Sequence, residues 1–117
     1  MRILVCGGRS YNNAERVNSA LDAIHGADGI DVIIHGGCSG ADELAKRWAA
    51  SRKVECIAYP ADWNQYGRAA GRIRNRMMIT DGKPDVVLAF PGGRGTRDMC
   101  MTAAKFNVKT LFVNDHE

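Results

Sequence analysis

Apolar residues come in two alternating textures along this chain. Short unbroken runs include Ile3-Leu4-Val5-Cys6, Val32-Ile33-Ile34 and Val86-Val87-Leu88-Ala89-Phe90. Such runs are what a strand buried on both faces presents. They give strands over residues 2–6, 31–35, 54–58, 85–90 and 110–113. Between them apolar residues recur every three or four positions, the buried stripe of a helix. The stripes are Val17, Ala20, Leu21 and Ile24; then Ala41, Leu44, Ala45, Trp48 and Ala49; then Ala70, Ile73 and Met77; then Met99, Cys100, Ala103, Ala104 and Phe106.

Cap signals support these bounds. Asn12 with Glu15, and Ser39 with Asp42, have the spacing of a capping box. Gly26 and Gly29 bracket the end of the first helix, and Asp81-Gly82-Lys83-Pro84 stops the third. Strand and helix alternate throughout, so the strands are parallel and the crossovers right-handed. The expected fold is α/β: a Rossmann-like three-layer α/β/α sandwich on a five-stranded parallel sheet of order 3-2-1-4-5. The alternation breaks once, at residues 61–68, a polar loop bearing Trp63 and Tyr66. It serves either as a lid over a site or as surface packing. Residues 114–117 form a polar tail.

Composition narrows the picture little. With 117 residues, 45% apolar and 25% charged, the chain is one ordinary globular domain. No apolar run approaches the roughly 20 residues of a membrane span, and Met1 leads directly into a strand without a signal sequence, which predicts a cytoplasmic protein. The four cysteines are scattered and have no metal-ligand spacing, so no metal is expected. A net charge of +3 is too small to argue for nucleic acid. Its distribution is local, however: Arg68, Arg72, Arg74, Arg76, Arg94 and Arg97 crowd one part of the chain.

Three strands end on paired glycines: Gly7-Gly8-Arg9, Gly36-Gly37-Cys38 with Ser39 and Gly40, and Pro91-Gly92-Gly93-Arg94-Gly95-Thr96. In a parallel sheet of this order all three loops leave the same edge and line one crevice, where open α/β sheets bind ligands. Glycines admit close approach, and helix starts offer unpaired N–H groups and a positive dipole end, so a phosphate is the favoured guest. Thr96 is placed to cap a helix or contact the ligand. Of Arg74 and Arg76, two apart on a helix, one should face the crevice and the other turn outward. Asp42, Asp62 and Asp98 are the candidate acids; Asp42 and Asp98 serve either chemistry or the dipoles of their helices. Neither GxGxxG nor GxxxxGK[ST] occurs, so no dinucleotide cofactor or P-loop is expected.

Pro91-Gly92-Gly93-Arg94-Gly95-Thr96 resembles the PGGxGT motif of the SLOG superfamily, which includes the LOG phosphoribohydrolases. Gly7-Gly8-Arg9, His35-Gly36-Gly37 with Gly40-Ala41-Asp42, Pro60-Ala61-Asp62-Trp63 and Gly71-Arg72-Ile73-Arg74-Asn75-Arg76 are similar to its YspA-like branch. The resemblance implies a Rossmann-like fold and a nucleotide-related, phosphate-bearing ligand. It also implies a contribution of Asp62 and Trp63 to the site, and a homodimer, for which Ile73, Met77, Met78 and the Trp48 helix are a candidate face. LOG enzymes cleave an N-glycosidic bond with an arginine and the glutamate of PGGxGTxxE. Arg76 best matches that arginine, but Met99 stands at the glutamate position, leaving Asp42 or Asp98 as substitutes. Three functions follow: a nucleotide binder, an N-glycosidic hydrolase, or, by likeness to DprA, a single-stranded nucleic-acid module with Trp63 or Tyr66 stacking bases.

Overall fold

In the computed structural model, which describes residues 1–114, the five apolar runs are strands. They are β1 (Arg2–Cys6), β2 (Val32–His35), β3 (Glu55–Ala58), β4 (Val86–Ala89) and β5 (Lys109–Phe112). All pairings are parallel and the order is β3-β2-β1-β4-β5, as expected. Residues 115–117 of the expected tail lie outside the described residues.

Alternation along each strand divides the core in two. Ile3, Val5, Ile33 and Leu88 face α1 (Ala14–Asp28) and α2 (Ala41–Arg52), against Val17, Leu21, Ala45 and Trp48. Leu4, Cys6, Ile34 and Val87 face α4 (Ala70–Thr80) and α5 (Arg94–Lys105), against Met78, Ile79, Met99 and Ala103. The register carries this across the sheet, with Leu4 opposite both Ile34 and Val87. Burying each large side chain stabilises by roughly 1.5–3 kcal/mol. Trp48 is buried whole because its indole Nε1 donates to Asp22 Oδ1 at 2.9 Å. Among the described residues no helix is long and apolar enough to cross a membrane.

Four local expectations are corrected. The cap of α1 is Asn13, not Asn12; its side chain accepts from Arg16 N. The cap of α2 is Gly40, with no side-chain bond, because Ser39 and Asp42 are engaged elsewhere. Residues 61–68 are no open loop: Asp62 caps a short helix, α3 (Trp63–Tyr66), by accepting from Gln65 N at 3.1 Å. A 3-10 turn over Gly67–Ala69 then feeds α4. Finally, α4 buries Ala70, Asn75, Met78 and Ile79, whereas Ile73 is half-buried and Met77 is exposed. A polar residue with partners inside, Asn75, rotates the helix away from the stripe that apolar spacing alone selects.

Candidate functional site

The three Gly-Gly loops do meet at the carboxyl edge of the sheet, and backbone bonds brace them. Gly8 N donates to Pro91 O at 2.8 Å and Ala41 N donates to Gly8 O at 3.2 Å. Ser39 Oγ donates to Arg9 O at 3.0 Å. Gly40 holds φ at 76°, and a Cβ there would run into the Gly8 carbonyl oxygen. That close approach of two loops admits only glycine.

Between the loops lies a cavity of about 250 Å³. Cys6, Met78 and Met99 give it an apolar floor; Gly7, Gly8, Gly36, Gly93 and Gly95 form much of its wall. Gly95 and Thr96 lie in the first turn of α5, whose opening amides have no helical acceptor. The cavity therefore faces the positive end of that helix.

Its side-chain chemistry is predominantly cationic, with Arg9, Arg74 and Arg94 on the wall and Asp42 the one acid among the lining residues. Arg74 is fixed. Its Nη1 donates to Gly36 O at 2.6 Å and its Nε to Asn75 Oδ1 at 3.0 Å. Its Nη2 has no hydrogen-bond partner among the described residues. A Cβ on Gly36 would fall 2.5 Å from Arg74 Nη1, so glycine there makes room for the guanidinium. The guanidinium groups of Arg9 and Arg94 likewise have no hydrogen-bond or ion-pair partner among the described residues.

Asp42 is buried, and its Oδ2 accepts from Gly36 N at 3.0 Å and Cys38 N at 3.2 Å. Burial raises its pKa above the usual carboxylate value; the two N–H groups and the nearby Arg74 and Arg9 work against that rise. Its immediate structural effect is to hold the β2–α2 loop. Asn75 continues a polar chain away from the cavity, donating to Asp98 Oδ2 at 2.8 Å. His35 is buried at the end of β2, and its Nδ1 accepts from Gly37 N at 2.9 Å. Burial lowers its pKa.

Among the residues expected in the site, the structure gathers Gly7, Gly8, Arg9, Gly36, Asp42, Arg74, Gly93, Arg94, Gly95 and Thr96 around this cavity. Gly37 and Trp63 line a second hollow of about 240 Å³, which shares Arg9, Gly36, Cys38 and Arg74 with the first. Six expected residues lie outside both. Arg76 is on the outer side of α4, its guanidinium 5.4 Å from the Phe106 ring centre, so Arg74 is the inward arginine of the pair. Asp98 is turned to Asn75, Asp62 is spent on its cap, and Ser39 and Gly40 brace the loops. Gly92 packs toward Gly8 and Thr96 and belongs to a separate groove.

The lining residues not foreseen are chiefly Cys6, Cys38, Asn75, Met78 and Met99. Asn75 carried a usable signal, being one residue from Arg74 within Ile73-Arg74-Asn75-Arg76. Within the candidate dimer face, Met78 is a core residue, Ile73 is half-buried and Met77 is exposed; on the α2 helix the Trp48 side chain itself is core. The separate groove, about 850 Å³ between α5 and β5, is apolar and lined by Cys100, Met101, Ala104 and Phe112.

Residues 1–66 match the YspA, cpYpsA-related SLOG family. The "Gene 61 protein" of Mycobacterium phage D29 is 37% identical over 122 residues, covering 97% of each chain. The molybdenum cofactor binding protein of Rippkaea orientalis shares the fold at 22% identity and a TM-score of 0.74, covering 98% of this chain and 77% of that one. DprA of Streptococcus pneumoniae does so at 17% identity and a TM-score of 0.56, covering 94% and 58%.

Proposed function

This chain belongs to the YspA, cpYpsA-related SLOG family, and from that premise we propose that its crevice binds a phosphorylated nucleotide or nucleotide derivative. The observation that carries this reading is the charge arrangement of one cavity. Arg9, Arg74 and Arg94 converge on it from three loops and helices, with a single, already hydrogen-bonded carboxylate opposing them. The opening amides of α5 add donors at the same place. A phosphate oxygen accepts from these amides and from the spare Nη2 of Arg74, while Arg94 closes over it. Charge-assisted bonds of this kind are the strong ones, and arginine's fork suits phosphate geometry.

The test is calorimetric titration of the full chain with AMP, ADP-ribose and ribose 5-phosphate. Arg74→Ala should weaken a bound phosphate ligand by one to two orders of magnitude, equivalent to about 1.5–3 kcal/mol for a charged hydrogen bond. Binding unaffected by Arg74→Ala and Arg94→Ala, or no binding of any phosphorylated compound, overturns the reading.

A specific observation favours a second reading, hydrolysis of an N-glycosidic bond. Asp42 is a buried carboxyl with a raised pKa inside the cavity, as a general acid requires. Met99, at the position of the LOG enzymes' catalytic glutamate, lines the floor and can move no proton. Release of adenine from AMP, abolished by Asp42→Asn, would establish hydrolysis; binding without turnover leaves the chain a binder.

A further inference from the structure

The second hollow asks for a different chemistry from the first. Its own walls are Trp63, Pro60, Ala61 and Gly37, with no carboxylate among the lining residues, and arginines stand only where it joins the first cavity. Trp63 exposes 52% of its surface. The Cη2 corner of its ring lies 3.6 Å from where a Cβ would stand on Gly71, so α4 backs it at a point with no side chain. The ring offers a flat apolar face within the hollow, and covering such a face with a stacked planar group is favourable.

Size points the same way. The hollows measure about 250 and 240 Å³. Each alone falls below the roughly 300–1,000 Å³ of ordinary ligand sites, while the two joined fall within it. Arg9, Gly36, Cys38 and Arg74 line both hollows, and Arg74 is held in place by Gly36 O and Asn75 Oδ1. A ligand filling both must carry an anionic group at one end and a flat, largely uncharged group at the other.

We propose that the second hollow is the nucleobase subsite, with the base stacked on Trp63 and the phosphate at the α5 N-terminus across Arg74. This rests on the phosphate reading above and narrows it: the ligand class becomes nucleoside phosphates, with sugar phosphates bound weakly. Stacking on an aromatic ring tolerates any base, so the subsite secures a base without selecting strongly among the four.

The experiment titrates the wild-type chain, Trp63→Ala and Trp63→Phe with AMP, GMP, CMP, UMP and ribose 5-phosphate by calorimetry. Tryptophan emission serves as a second readout. Trp48 is buried and outside both hollows, so an emission change reports Trp63. The expected result is that at least one nucleoside monophosphate binds about ten-fold or more tighter than ribose 5-phosphate. Trp63→Ala erases that advantage without altering ribose 5-phosphate affinity, Trp63→Phe restores most of it, and the nucleotide quenches Trp63. Equal wild-type affinity for nucleotides and ribose 5-phosphate, or a nucleotide preference that survives Trp63→Ala, overturns the base subsite and leaves the phosphate reading standing. No binding of any of the five compounds overturns both.

Discussion

His35 and Cys100 show how single side chains here are set by what surrounds them. Nδ1 of His35 accepts the Gly37 N–H, which only the unprotonated nitrogen can do, and burial pushes its pKa below the ordinary 6.5. A depressed pKa of this kind gives stability that is full above the unfolded value and is lost as pH falls through the folded one. Denaturant midpoints of the wild type should therefore fall below pH 6.5 faster than those of His35→Asn, which cannot titrate there. Parallel curves would show that protonating His35 costs the fold nothing. Asp42 has the opposite sign, since its raised pKa makes the ionised form the costly one. At Cys100, a hydrogen bond from the Cys6 thiol outweighs burial and brings the pKa from 9.0 down to about 7, while Cys6 is pushed up. The thiolate is the reactive form. Iodoacetamide should then label Cys100 first, with a rate half-maximal near pH 7. Cys6→Ala, which removes the donor, should move that midpoint upward, and an unchanged midpoint would mean that Cys6 is not the cause.

The glycine loops behave as elements, and glycines within them have different duties. Gly40→Ala places a methyl against the Gly8 carbonyl at a φ of 76°. It should cost about 2–3 kcal/mol, read as a lower urea midpoint with an unchanged slope. Gly95 has open space around its missing Cβ and sits in the first turn of α5. Gly95→Ala should stabilise the unliganded chain by about 0.4–1 kcal/mol, while weakening binding of a ligand that packs against this cavity-lining residue. A Gly95→Ala variant that binds as well as wild type would place the ligand elsewhere. These elements were legible in the sequence to an uneven degree. Strand runs fix the sheet, its order and the edge at which the loops gather, since unbroken apolar runs and crossover handedness leave little choice. Caps were less legible: Asn12 and Asn13 are equivalent in pattern, and only the turn geometry selects Asn13. The rotation of α4 was illegible because Asn75 is buried by its bonds to Arg74 and Asp98, across 23 residues in the latter case. Spacing therefore left Arg74 and Arg76 open as the inward arginine, and the likeness of Arg76 to the LOG arginine did not decide between them; the structure turns Arg74 inward.

For the molecule as a whole, the crevice stands where strand order reverses about β1, so its walls come from both halves of the sheet. The β2–α2 loop belongs to one half and the β4–α5 loop to the other, with the β1 loop bonded to both. A ligand that touches Arg74 on α4, Gly36 after β2 and the α5 amides at once would tie the halves together. Its binding energy would appear as global stability, with no need for a new conformation. At 100 times the dissociation constant, a one-site ligand adds about 2.7 kcal/mol. For a domain of this size that shifts the thermal midpoint by roughly ten degrees. The same ligand should slow amide exchange together in residues 7–9, 36–38 and 93–96, and the shift should shrink as added salt screens the arginines. Protection confined to 93–96 would mean that the ligand sits on one helix end only. The crevice would then be a by-product of loop packing, and the convergence of Arg9, Arg74 and Arg94 would need another cause.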